Sequence, residues 1–510
     1  MLHRGETISA CWTRLAGIRQ PALTRAERYA ALTLPHIMTP DGVNAASVDQ
    51  SHDYQSIGAV AVNHVVNKLA VAMFSPAKPF FKLSPDKKLQ AQIVANEQSE
   101  EDVSAALAFM ERDACRQLDA LAQRPVLYSA LRQLVVVGDA VAHFGKDQIR
   151  LFTRKHFCVK RNRAGKVHTL IIRERIKFDE VEESVQALLG KRYQPDTEVS
   201  HYTLIERVLI KGKAHYTQRM AIDEIELTDK EYTGRWLERD CPWRVLAWEL
   251  EDEADYARSL VEQYSGDFEA LSILCEAQAN GGVLAAEFRY LLNPSMQTSV
   301  EDFNQSKNGD ALSGQKGDIE VITGGNPESL KVNQSIIEWY ERRINRAFLL
   351  NSAVTRDAER VTAEEIRMTA MELETSFGGT YTSLAAGFQQ PVAQWLLDLI
   401  DKEIKNAGFE VVIITGLDAL SRNGELENLR LAFQDLAILS NVPPMLMERL
   451  KFDKIATFIG SRRGVDFKEF LKTDEEVAQT RAATAQQQAQ AAGQTAAAET
   501  AGEQAGAQPQ

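Results

Sequence analysis

The sequence lacks most of the signatures that carry chemistry. Its 510 residues hold five cysteines, Cys11, Cys115, Cys158, Cys241 and Cys275, odd in number, widely spaced and without a C-x-x-C pair. That pattern argues against a disulfide framework and against a zinc site, and the thiols read as reduced, cytosolic ones. No G-x-x-x-x-G-K-[ST] cradle for a nucleotide phosphate occurs: Gly145-Lys146 and Gly165-Lys166 lack both the upstream glycine and the following Ser or Thr. H-E-x-x-H and G-x-S-x-G are absent, and the nine histidines do not fall at metal-ligand spacing. No catalytic residue, metal site or cofactor is therefore expected.

Long apolar runs and an excess of positive charge are missing too. The best membrane candidate, residues 57–74, is interrupted by Asn63, His64, Asn67 and Lys68. Its Val62, Val65, Val66, Leu69 and Met73 form one helical face instead, so a packed helix and no membrane association are expected. The opening MLHRGETISACW places charges where an export signal needs an apolar stretch. Lys and Arg number 58 against 71 Asp and Glu, a formal net charge of -13. A tight phosphate clamp is disfavoured, whereas an acidic surface suits a protein past which DNA slides.

What is present reads as an α+β chain. Residues up to about 135 carry helical periodicity over 8–17, 23–34, 57–74 and 100–123. From 134 to 248 the period drops to two, in runs such as LVVVGDAVAHF, VHTLIIRERIKF, HYTLIERVLI and AHYTQRMAI, with hairpin turns at RNRAGK and KGK. The region is predicted to be an antiparallel sheet set between helices. A helix over 254–280 is predicted to stop at Gly281-Gly282, followed by a Gly/Asn/Ser-rich excursion over 281–332 and a second helix over 333–350. The last residues, 476–510, are an Ala/Gln-rich tail without aromatics or long aliphatics, which cannot bury enough surface to order by itself.

The best-specified local signal is RDAERVTAEEIR, residues 356–367. Thr362 and Glu365 form a capping box, flanked by Val361 and Ile366 as a hydrophobic staple, so a helix starts here. Apolar residues then recur at helical spacing through Phe388, with Gly378-Gly379 and Pro391 as two places for a bend.

This string, with INRAFLLNSAV before it and GLDALSRNGELENL further on, closely resembles the portal, or head-to-tail connector, proteins of short-tailed podovirus phages. YQSIGAVAVNHVVNKLAVAMFSPAKPFFKL is similar to the family's N-terminal signature and makes a second match. The resemblance implies a mainly helical portal-type subunit that assembles into a ring, a dodecamer by analogy. It implies a wing (1–253), stem helices (254–280 and 333–350) and a clip (281–332). A tunnel loop (351–360), a long kinked wing helix (361–404) and a crown (405–475) follow. It further implies a virion protein at the capsid vertex, assembled in the host cytoplasm. The implied partners are double-stranded DNA in the channel, the terminase large subunit, the tail adaptor protein, and the capsid, scaffolding and internal core proteins.

Within that resemblance the tunnel loop carries Asn351, Ser352, Arg356 and Arg360, and the preceding stem helix carries Arg342, Arg343 and Arg346. Arginines there would touch passing phosphates. The competing reading pairs them with Glu341, Asp357, Glu359 and Glu364. The adjacent acids Glu364-Glu365, 251–253 and Glu182-Glu183 leave a metal-dependent nucleic-acid enzyme as one alternative, though acids near a helix start also favour its dipole. A capsid structural protein without a channel is the other.

Overall fold

The computed structural model describes residues 5–39, 53–75, 79–85, 100–189, 193–323, 327–350, 363–400 and 409–413. The chain divides into two compact units, Met1–Gly416 and Leu417–Gln510, and every described residue belongs to the first. Residues 351–362, most of the crown segment and the tail lie outside the described residues, and with them Asn351, Ser352, Arg356, Arg360 and Thr362.

The chain opens with one continuous helix, α1 (Ile8–Ala31), where two helices were expected on either side of Pro21. A proline inside a helix costs about 3 kcal/mol. Here the buried positions Cys11, Trp12, Leu15, Arg19, Leu23, Ala26 and Ala30 keep helical spacing straight through it. Packing along the whole face outweighs the local penalty. Thr7 caps the start, its hydroxyl accepting from the Ala10 backbone N–H at 3.2 Å.

The N-terminal half of α1 lies on a six-stranded antiparallel sheet built from β4 (Phe157–Arg161), β5 (Val167–Lys177), β6 (Glu198–Ile210), β7 (Lys213–Ile222) and β8 (Ile225–Leu227) in that order, with β9 (Gly234–Leu237) also paired to β7. Alternation sends successive side chains to opposite faces. Cys158, Ile171, Tyr202 and Leu204 meet Ile8, Cys11, Trp12 and Leu15 of α1, while Phe157, Leu170, Ile172, Ile205 and Tyr216 form a second core with Trp243 on the other face. The turns RNRAGK and KGK join β4 to β5 and β6 to β7, as their sequence predicts.

A second sheet orders β10 (Trp243–Ala247), β2 (Asp139–Phe144) and β3 (Ile149–Phe152). The strand pattern read from Leu134 onward is correct only from Asp139: residues 134–136 close helix α4 (Arg124–Val136). Val135, Val136 and Val137 are all fully buried, and a valine run buried on every side has no period to tell strand from helix.

The largest core gathers α2 (Ile57–Met73), α3 (Glu100–Ala120) and α4 with the later helices. Short strands β1 (Phe81–Pro85) and β13 (Phe409–Ile413) pair beside it. The long helix following residue 362 is broken at the two places its sequence suggests. Helix α10 (Ala363–Phe377) ends at Gly378, whose φ of +49° favours glycine, and α11 (Gly379–Leu384) follows. A π-helical turn, residues 385–389, then leads into α12 (Gln390–Ile400), where Pro391 has no N–H to donate to the preceding turn.

One buried ion pair joins these layers. Arg154 donates Nε to Asp139 Oδ1 at 2.8 Å and its other nitrogens to the Ala22 and Ala257 carbonyls, both at 3.1 Å. Asp139 Oδ2 accepts from the Ala257 N–H at 3.1 Å. Arg154 and Asp139 are 3% and 1% exposed, so neither charge has water as a substitute. Removing either partner of such a pair costs about 3–5 kcal/mol.

His143 packs against Trp243 with ring centroids 4.0 Å apart, and its Nδ1 is buried without a hydrogen-bond partner. Burial, reinforced by Arg150, pushes its pKa down from 6.5 to about 4; burial also lowers His156 and His201. A histidine depressed in the folded state gives stability that is complete above its unfolded pKa and is lost as pH falls toward the folded one. Thermal stability should therefore drop between pH 6.5 and pH 4, and His143→Phe should show a shallower drop over that window. Equal slopes for the two proteins in pH-dependent calorimetry would contradict this assignment.

Candidate functional site

The most exposed apolar part of the described chain is a helical hairpin with a strand tip. Helix α7 (Ser265–Ala286) runs against α9 (Pro327–Ala347), and between them β11 (Phe288–Leu292) and β12 (Ile319–Thr323) pair antiparallel around the short helix α8 (Val300–Gln305). Both long helices differ from expectation. The helix predicted for 254–280 gains its main length only at Ser265, after the short α6 (Leu260–Gln263), and passes through Gly281-Gly282; its partner begins at Pro327 instead of 333. A Cβ at Gly281 would sit 2.7 Å from Leu330 Cδ2, so the glycine permits close helix packing there instead of ending the helix.

The base of the hairpin is anchored. Phe348 packs edge-on against Tyr264 and Phe268, with centroids 5.7 and 5.5 Å apart, and Ile344 and Leu271 complete the cluster. Asn333 Nδ2 donates to the Leu274 carbonyl at 3.0 Å and to Gln278 Oε1 at 2.9 Å, fixing the register of the two helices. Away from the base the cover ends. Of its 22 residues α7 buries only Phe268 and Leu271. Ile273, Val283 and Leu284 on α7, and Val332, Ile336 and Trp339 on α9, are exposed, as are Tyr290, Leu291, Val321 and Ile322 on the ribbon. An apolar surface of this extent marks an interaction site.

The tip is nevertheless ordered, through one carboxylate. Asp318 Oδ2 accepts from the Thr298 hydroxyl at 2.7 Å and from the backbone N–H groups of Gln297, Thr298 and Gln315 at 3.1, 3.1 and 3.0 Å. These donors, the Thr298 hydroxyl foremost, hold its carboxyl below the usual carboxylate range.

Arg342, Arg343 and Arg346 are all exposed on α9. Arg343 pairs with Asp267 of α7 at 3.0 Å and lies over the Trp339 ring at 4.7 Å, so its partner is on the other helix and not Glu341. Arg342 and Arg346 have no ion pair among the described residues. Glu365 belongs to α10, but its side chain lies outside the described residues.

Two residues that the sequence marked only as interruptions of an apolar helix prove to be a joint. Leu349, just past α9, has φ +57°, and its carbonyl accepts from Lys68 Nζ at 3.1 Å and bonds His64 Nε2 at 3.0 Å. Lys68 also pairs with Glu372 of α10 at 2.9 Å while only 4% exposed. Burial, and then Lys68, lower the His64 pKa, which leaves a neutral ring whose Nε2–H donates to Leu349. Helices α2, α9 and α10 thus meet at one cation.

Chemistry is sparse elsewhere. A groove of about 900 Å³ lies between the sheet and the π-helical turn, with Leu170, Tyr216, Trp243 and Pro391 among its lining. Its one carboxylate, Glu238, is held by Lys166 at 3.1 Å and Arg207 at 3.2 Å. Among the described residues no three His, Cys, Asp or Glu side chains come together to hold a metal ion, and no helix is long and apolar enough to cross a membrane.

Against known proteins, the bacteriophage head to tail connecting protein family matches residues 5–471. The portal protein of Enterobacteria phage SP6 is 28% identical over 94% of this chain and 93% of its own length. That of Pseudomonas phage phiKMV is 30% identical over 91% of this chain and 92% of its own. Among solved structures, a chain from the neck of an empty GTA particle aligns over 81% of this chain and 90% of its own length, at 10% identity and a TM-score of 0.39. The match over nearly the whole chain places it: the chain belongs to the bacteriophage head-to-tail connecting protein family.

Proposed function

We propose that this chain is the repeating subunit of a homo-oligomeric portal ring of about twelve copies at one capsid vertex, through which the phage genome is packaged and ejected. The observation that carries the reading is the hairpin of α7 and α9, whose exposed apolar faces need neighbours to cover them. In the ring these helices are the stem around the channel, and β11, α8 and β12 are the clip, which docks the terminase large subunit during packaging and the tail adaptor afterwards. Residues before α7 and the α10–α12 helices form the wing, in contact with capsid, scaffolding and internal core proteins. The crown segment 405–475 follows. The role is conduction, not catalysis, and the ring assembles in the host cytoplasm before becoming part of the virion.

Residues 351–360, the tunnel loop of this reading, lie in sequence between the joint at Leu349 and α10. Arg342 and Arg346, exposed and without ion pairs among the described residues, stand on the same approach. Cations there steady the passing phosphates without holding them, because the rest of the chain is acidic.

Purified protein should form rings by light scattering over a wide concentration range, whereas Ile273→Glu combined with Ile336→Glu should stay monomeric. Each site is exposed in the isolated subunit, so each substitution should change folding stability by no more than about 0.5 kcal/mol. Rings formed equally well by the double variant would contradict the stem assignment. Replacing both Arg356 and Arg360 by Ala should leave assembly intact and reduce DNA uptake or retention. Fully packed, infectious particles at the wild-type level would remove these arginines from the DNA path.

A further inference from the structure

The strands and turns of the six-stranded sheet, leaving aside the acidic segment 251–255 that meets the β4–β5 turn through Asp255, are polarised in charge from one end to the other. Its β4–β5 and β6–β7 turns lie at the same end, because β5 leaves that end and β6 returns to it. Residues 160–168 carry four Lys or Arg and no acid, and residues 207–215 carry three and no acid. Lys160, Lys166 and Arg207 are paired, with Asp255 or Glu238. Arg163, Lys211 and Lys213 are exposed and have no ion pair among the described residues, and Arg235 on β9 is in the same state. Beside them Leu209 is 70% exposed.

The opposite end is acidic. The connection from β5 to β6, residues 178–198, and the β7–β8 turn with its continuation, residues 223–231, together hold eleven Asp or Glu against three Lys or Arg. Lys177 and Arg219 on the adjoining strands are already paired, with Asp196 at 3.4 Å and Glu226 at 3.3 Å, although Arg175 is exposed and unpaired among the described residues. Glu180, Glu183, Glu224, Asp229 and Glu231 are exposed, again without ion pairs among the described residues. The 13 residues of β6 separate the two ends by roughly 40 Å, far beyond the screening length in physiological salt, so they do not neutralise each other within one subunit. Solubility calls for mixed signs; it does not require that they be segregated.

We infer that the basic end of this sheet in one copy docks the acidic end of the sheet in the next, forming a head-to-tail contact that sets the direction of the ring. A two-fold contact made at one end would place that end against itself and its like charges together, whereas a head-to-tail contact brings the unlike ends together. The inference rests on the ring reading above and adds to the stem a second contact, with its own polarity and salt dependence. The partner is another copy of this chain, recognised through complementary charge around the exposed Leu209.

The test is a charge swap in the full chain. Lys211→Glu with Lys213→Glu reverses two exposed cations at the basic end, and Glu224→Lys with Glu231→Lys reverses two exposed acids at the acidic end, so that the local charges facing each other across the contact become alike. Each alone should raise the concentration for half-assembly by about tenfold in light scattering, with circular dichroism and melting unchanged. An equimolar mixture of the two should assemble at close to the wild-type concentration, as should one chain carrying all four substitutions. If wild-type protein never forms rings, the portal reading itself fails and takes this contact with it. If wild-type rings form and the variants assemble equally well, or assemble poorly with no rescue on mixing, the ring stands and the head-to-tail contact is overturned.

Discussion

A 22-residue helix that buries two of its side chains cannot be the interior of anything in a single subunit. This constraint on α7, shared by the outer face of α9, organises the rest of the molecule. Burying apolar surface returns roughly 25 cal/mol per Å² removed from water, and the exposed positions from Ile273 through Trp339 leave that gain unrealised within one subunit. The six-stranded sheet, packed against α1 on one face and a second core on the other, is complete in one subunit.

The hairpin therefore has to be held from its base. Three devices do this with little apolar area. The Phe348 ring cluster fixes α9 to the start of α7. The Arg154–Asp139 pair ties the backbone just before α6 to α1 and to β2. Lys68 joins the end of α9 to α10 through the Leu349 carbonyl and Glu372. A displacement of the α7–α9 hairpin would have to break charged hydrogen bonds in a buried setting, so the backbone at Leu349 is coupled to the position of the hairpin.

The sequence conveyed the fold class, the hairpin-linked strands and both interruptions of the long helix, because alternation, turn residues and Gly or Pro are local signals. It misled where burial erased a period, as at Leu134–Val136, or where packing outweighed a breaker, as at Pro21 and at Gly281-Gly282 beside Leu330. The family was legible from two strings. The joint was not: Lys68 and His64 stood out only as polar residues in an apolar helix, and their partners at Leu349 and Glu372 are about 300 residues away in sequence. Asp318 was equally hidden, since one acid at the head of a strand has no pattern until the N–H groups of residues 297, 298 and 315 converge on it.

The central claim is that covering the α7–α9 hairpin and enclosing a channel are the same event. Electron microscopy of the purified chain tests it most directly. A closed ring with an axial opening, in which α7 and α9 from successive copies pack side by side around the hole, is the result expected. A compact monomer, or an assembly in which the hairpin points outward and no axial opening exists, would contradict it.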